Sequence, residues 1–156
     1  MSLNWEPATM TLKQLSIFLE NSPGRLLQIT TALGDAGINL KALSLAGSSD
    51  FGVLRLICSD LHKARNVAMQ NQWPARVDEV LAVRVPDNPG SLAAILKPLS
   101  ENCIDVNYMY AFTRFSTSEA LIIFGFKEID KAIEVLRGCG AALIDADDFK
   151  SLENQE

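Results

Sequence analysis

The 156-residue chain is poor in the residue types that build covalent frameworks, metal centres and catalytic machinery. It has one histidine, His62, and three cysteines, Cys58, Cys103 and Cys139, which are far apart and set among apolar neighbours. An odd number of scattered thiols excludes a disulfide framework and reads as small buried hydrophobes in a reducing compartment. A metal site needs more than one histidine and closer ligand spacing, so no metal and no other cofactor is expected. No serine, threonine or cysteine is paired with a base. His62 stands in a polar helix start among Asp60, Lys63 and Arg65 and reads as plain surface, so no enzyme activity is expected. Asp50-Phe51-Gly52 spells the magnesium motif of protein kinases, but the glycine-rich and catalytic loops that must accompany it are missing, leaving a hairpin turn.

Positive charge is scarce as well. Lys and Arg number 14 against 19 Asp and Glu, a net charge of −5. The imbalance is local: seven basic and six acidic residues lie between 10 and 79, but seven and twelve from 80 onward. Without a basic stripe to neutralise phosphates, nucleic acid is excluded as a direct partner. No apolar run approaches the roughly 18 residues of a membrane span, and the longest, Ala120 to Phe126, has strand length. Residues 1–9 lack the basic start and apolar core of a signal peptide and read as an N-terminal extension or expression remnant. A cytoplasmic protein with no membrane partner is expected.

What is abundant is hydrophobic residues, 48% of the chain, and a repeat. An offset of 66 residues aligns Leu15 with Leu81, Pro23 with Pro89, Gly24 with Gly90 and Leu26 with Leu92. The same offset aligns Ile29 with Ile95, Leu33 with Leu99, Ile38 with Ile104 and Ile57 with Ile123. Beyond Ile57 the offset grows to 68, where Lys63-Ala64 meets Lys131-Ala132. The chain is two copies of one unit, 10–79 and 80–156, the second with an acidic, solvated end.

Each copy reads alike. Leu15, Ile17 and Leu19, and Leu81, Val83 and Val85, alternate as strands do. After a Pro-Gly turn, Leu26, Ile29 and Leu33, and Leu92, Ile95, Leu96 and Leu99, recur at helical spacing. Strands are expected over 38–45 and 104–112, then 53–58 and 120–126, followed by second helices and short closing strands at 76–79 and 141–144. The order is strand, helix, strand, strand, helix, strand. The fold class is α+β: two ferredoxin-like βαββαβ modules, each an antiparallel sheet with its helices on one face. Tyr108, Tyr110 and Phe112 alternate on a strand and read as sheet packing. Both faces of 120–126 are apolar, so the face without helices is expected to pack on a second copy, making a homodimer.

The chemistry sits at Asn21-Ser22-Pro23-Gly24-Arg25-Leu26 and Asp87-Asn88-Pro89-Gly90-Ser91-Leu92. Each turn opens a helix, whose free N–H groups suit a carboxylate. An acceptor stands three residues before each glycine, Asn21 and Asp87, and another fifteen after, Asn39 and Asp105. Backbone donors for a carboxylate and oxygens for an ammonium are what an amino-acid zwitterion needs. Asn or Asp before Pro-Gly is also ordinary turn chemistry; recurrence at both positions is what raises the ligand reading.

These stretches, Leu19 to Leu26 with Ala36-Gly37-Ile38-Asn39-Leu40, and Val85 to Leu92 with Ile104-Asp105-Val106, resemble the ACT domain, a small-molecule sensor module of amino-acid metabolism. The resemblance spans Thr11 to about Leu152 as a tandem pair. It is closest to stand-alone bacterial and archaeal tandem proteins, which share Lys13-Gln14-Leu15-Ser16 and Asn107 to Phe112. It implies a non-catalytic amino-acid-binding regulator, allosteric toward a separate enzyme or regulator, with ligand at the seam between modules. Carried over, one site combines Asn21 and residues 22–26 with Asp105 and Val106; the other combines Asp87 and residues 88–92 with Asn39 and Leu40. Arg25 against Ser91 means that the two pockets need not take one ligand. Leu19 and Val85 stand where serine-sensing modules can carry a histidine, so serine specificity is not implied. A regulatory subunit such as that of acetolactate synthase is the alternative, against which the repeat argues.

Overall fold

A computed structural model describes residues 10–112 and 117–153. It divides into two compact units: residues 13–78 with 110–112, and residues 10–12 with 79–109 and 117–153.

The first unit runs β1 (Leu12–Glu20), α1 (Arg25–Asp35), β2 (Leu40–Gly47), β3 (Phe51–Cys58) and α2 (Leu61–Gln70), ending in the first residues of β4 (Ala75–Pro86). Its sheet order is β2-β3-β1-β4, with antiparallel β1–β3 and β2–β3 pairs. Alternation puts Leu15, Ile17 and Leu19 on the face that meets Ile29 and Leu33 of α1 and Ala64 and Ala68 of α2, with Leu54 and Leu56 beside them. The second unit takes the rest of β4, then α3 (Ser91–Glu101), β5 (Val106–Ala111), β6 (Glu119–Phe126), α4 (Ile129–Gly138), β7 (Ala142–Ile144) and α5 (Ala146–Glu153). Its order, β5-β6-β4-β7, is that of the first unit, and Leu81, Val83, Val85, Phe124, Leu99 and Leu136 form the matching core. Two βαββαβ modules with antiparallel sheets are thus the architecture.

The repeat extends to single hydrogen bonds. Gln28 N donates to Gly24 O at 2.9 Å and Ala94 N to Gly90 O at 3.0 Å; Asn21 N donates to Asp50 O and Asp87 N to Ser118 O. All four repeat helices close alike, the second residue past the cap donating back to a carbonyl five residues earlier: Ile38 to Leu33, Trp73 to Ala68, Ile104 to Leu99 and Ala141 to Leu136. That motif needs a left-handed residue after the cap. Gly37 and Gly140 supply it, as do Gln72 and Cys103 at φ 57 and 55.

Besides the cysteines, of which Cys103 and Cys139 are exposed and Cys58 half-buried where buried thiols were expected, four features depart from the sequence expectations. First, residues 75–86 form one strand and not two, because nothing between Arg76 and Val85 breaks extension. Second, the offset changes in the turn before β3, not after it. Leu15 pairs with Leu56 and its counterpart Leu81 with Phe124, an offset of 68, so Ile57 corresponds to Gly125 and its match to Ile123 is coincidental. Third, the acidic end forms α5. Asp145 Oδ1 accepts from the N–H groups of Asp147 and Asp148, capping a helix that buries Phe149. Fourth, the face of the second sheet without α3 and α4 is already covered within one chain: Val80, Ala82, Leu121 and Ile123 are at most 1% exposed. A second copy is not needed to bury it, and the homodimer loses the surface it was argued from.

Candidate functional site

Each Pro-Gly turn is built by the same local forces. β1 ends at Glu20, Ser22 N donates to Glu20 O, and Arg25 N donates to Ser22 O. In the second copy Asn88 N donates to Pro86 O and Ser91 N to Asn88 O. Gly24 and Gly90 close the turns at φ 82 and 85, a left-handed conformation that glycine adopts without a Cβ penalty. Both are the caps of their helices, and neither α1 nor α3 has a side-chain cap. The N–H groups of Leu26 and Leu27, and of Leu92 and Ala93, therefore have no acceptor among the described residues. They carry the positive end of the helix dipole toward solvent.

The side chains around these turns differ between copies. Asn21 Nδ2 donates to the carbonyls of Ser48 and Ser49, at 3.2 Å each, tying the loop to the β2–β3 hairpin and leaving Oδ1 outward. Asp87 has no amide to donate; its backbone N–H is held by Ser118 O at 3.0 Å, and its carboxylate is exposed. Ser22, Pro23, Leu26, Asn88, Pro89 and both acceptors are exposed, while Arg25, Ser91 and Leu92 are half-buried. Arg25 Nη1 donates to Gln28 Oε1 at 3.0 Å, and its Nη2 lies 4.0 Å from Glu20 Oε2. At the second-strand starts, Asn39 is held through its backbone, exchanging hydrogen bonds with Ser59. Asp105 is exposed, and with Val106, Leu99 and Cys103 it lines a shallow cleft of about 260 Å³. Leu40 and Val106 are half-buried.

No module brings its own turn to its own second-strand start. The two lie at opposite ends of α1 or α3, whose 11 residues span about 16 Å. The aromatic series on β5 divides. Tyr108 lies over Gly125, and Tyr110 is buried with its hydroxyl donating to Gln14 Oε1 at 2.6 Å. Gln14 in turn donates to Ser16, and Ser16 to Asp78, a polar chain that ties together the stretches Lys13 to Ser16 and Asn107 to Phe112. Among the described residues, no three His, Cys, Asp or Glu are placed to hold a metal ion, and no helix is long and apolar enough to cross a membrane.

A family model described as an ACT domain pair matches residues 10–152. Protein BT0572 from Bacteroides thetaiotaomicron, a solved structure, is 39% identical, with a TM-score of 0.83 over 90% of this chain and 96% of that one. The regulatory subunit of aspartate kinase from Thermus thermophilus, in its ligand-free form, shares the fold at 11% identity and a TM-score of 0.57, over 82% of this chain and 92% of that one. The corresponding subunit from Thermus flavus does so at 12% and 0.53, over 81% and 91%. No curated protein matches the sequence.

Proposed function

The chain belongs to the family of ACT domain pairs, and from that premise we propose that it is a non-catalytic regulatory protein that binds a free amino acid at the seam between ACT modules. The observation that carries this reading is the doubled turn. Each copy offers unsatisfied helix N–H groups for a carboxylate beside an outward oxygen, Asn21 Oδ1 or the Asp87 carboxylate, for an ammonium. Asn39 and Asp105 stand a helix length from the turn of their own module, so a ligand that uses both halves takes them from two modules. Asn21 and residues 22–26 then share a site with Asp105 and Val106, and Asp87 and residues 88–92 with Asn39 and Leu40.

That crossing also has an electrostatic reason. It gives each site one carboxylate and one amide, whereas uncrossed sites would hold two carboxylates in one module, which repel when no ammonium lies between them. Binding at the seam shifts the equilibrium between arrangements of the modules and so signals to a separate enzyme or regulator. In the same reading the protein acts in the cytoplasm as a homodimer. Support for the dimer comes from exposed apolar side chains on β2, Leu43 and Leu45; a monomer in sedimentation at micromolar concentration refutes it. Melting curves with each of the twenty amino acids test the reading as a whole, because a ligand at 100 times its Kd adds about 2.7 kcal/mol. No shift with any amino acid refutes it. Asp105→Ala abolishes binding at one site and spares the other; unchanged affinity at both refutes the crossed pairing.

A further inference from the structure

Where the two copies differ most is not at the turns but beside the first one. In the first unit a cleft of about 620 Å³ opens where the end of β1, the β2–β3 hairpin and the connection from α2 to β4 meet. Its size is within the roughly 300–1,000 Å³ of small-molecule sites. Phe18, Phe51, Trp73 and Pro74 give it an aromatic and apolar lining, and Glu20 and Arg25 bring opposite charges to it. It borders the first seam site through Arg25, but none of Asn21, Asn39, Asp87 or Asp105 lines it.

The repeat shows that the fold does not require this lining. At the equivalent positions of the second copy, Phe18 becomes Arg84, Phe51 becomes Glu119, Glu20 becomes Pro86, Arg25 becomes Ser91 and Trp73 becomes Ala141. Arg84 and Glu119 close on each other in an ion pair at 2.6 Å, satisfying with charge what the first copy leaves as two aromatic side chains. Phe51 is 66% exposed and Phe18 36%, the latter with the Arg76 guanidinium 5.4 Å from its ring centre, so apolar surface is offered without being buried. The charges are likewise unspent. Glu20 and Arg25 are 4.0 Å apart, beyond hydrogen-bonding distance, and Gln28 holds the guanidinium from the other side.

We infer that this cleft is a second amino-acid site, confined to the first module and selective for an L-amino acid with an apolar side chain. The inference rests on the amino-acid-binding reading above. An α-amino acid carries its carboxylate and ammonium on one carbon, so it can set the first against Arg25 and the second against Glu20, turning one loose pair into two charge-assisted hydrogen bonds. Its side chain then lies against Phe18, Phe51 and Trp73. An acidic side chain would set its carboxylate against the negative faces of these rings and be disfavoured.

Trp73 reports on the cleft directly, because the only other tryptophan is Trp5. In a Trp5→Phe background, titration with L-leucine and L-phenylalanine produces a saturable change in Trp73 emission, with calorimetry giving the affinity. Glu20→Gln and Phe51→Ser, both at exposed positions, each weaken L-leucine by about tenfold or more, the scale of one charge-assisted hydrogen bond or one aromatic contact. Glu20→Gln leaves 4-methylpentanoate, leucine without its ammonium, unaffected. If calorimetry detects no amino acid at all, the sensor reading and this site fall together. If an amino acid binds while Trp73 is silent and both variants bind normally, the sensor reading stands and the cleft is overturned. If Phe51→Ser instead converts a dimer to a monomer with binding unchanged, the cleft is an interface between copies, and the inference is equally overturned.

Discussion

Gly125 on β6 is a position where one added methyl group collides with a neighbouring side chain. A Cβ there would lie 2.5 Å from both Cε atoms of Tyr108, inside any real carbon–carbon contact, so Gly125→Ala must displace the ring. Overpacking of this kind costs about 1–3 kcal/mol. Tyr108 is only half-buried, so its ring can swing toward solvent, which places the cost in the lower half of that range. Against it stands the gain of about 0.5–1 kcal/mol from replacing a strand glycine by alanine. The net expectation is a loss of about 1 kcal/mol, a fall in Tm of roughly 2–4 °C for a protein of this length. The diagnostic experiment is a double-mutant cycle in urea. With Tyr108→Ala the obstacle is gone, and Gly125→Ala becomes neutral or stabilising by up to about 1 kcal/mol. A Gly125→Ala effect of the same sign and size in both backgrounds refutes the claim that Tyr108 packs on this glycine.

Gly47→Ala is the harsher case, because its Cβ meets the backbone, with Gly52 Cα at 2.6 Å, and backbone cannot rotate away. It costs about 2 kcal/mol or more in urea denaturation, exceeding Gly125→Ala, and the reverse ranking contradicts the argument. Cys103 holds at φ 55 the left-handed position that glycine fills after α1; Cys103→Gly raises stability by about 0.5–1 kcal/mol in the same assay, and a loss shows that the thiol makes a contact worth more than the strain.

Much of this molecule was legible from its apolar spacing. Leu15, Ile17 and Leu19 alternating into a Pro-Gly turn, then Ile29 and Leu33 at helical spacing, define the first strand and helix, and the same signals return at Leu81 and Ile95. The failures have physical reasons. Ile57 and Ile123 match by letter, yet only strand register reveals that they occupy different rows, because a two-residue insertion in a turn leaves no trace in apolar periodicity. The covering of Leu121 and Ile123 could not be foreseen from a strand apolar on both faces, since periodicity shows that a face must be buried and not what buries it. Helix α5 was visible in part: Asp145 with acidic residues in the turn after it is an N-cap signal, and reading the segment by charge alone hid it.

The repeat separates what folding requires from what it leaves open. Both copies keep the turn glycines, the backbone bonds around them and the helix closures, and those are the features that fix chain direction. They do not keep Asn21 against Asp87, Arg25 against Ser91, or Phe18 and Phe51 against the Arg84–Glu119 pair. Since each module reaches the same fold with either set, these differences are free of the folding requirement. Two of them remove or add a charge beside a turn whose helix N–H groups are unpaired, and the third exchanges an ion pair for exposed aromatic surface. A binding preference can be changed at such positions without disturbing the scaffold. If the modules bind amino acids as proposed, they are therefore expected to differ in what they bind, the first through Arg25, Glu20 and its aromatic cleft.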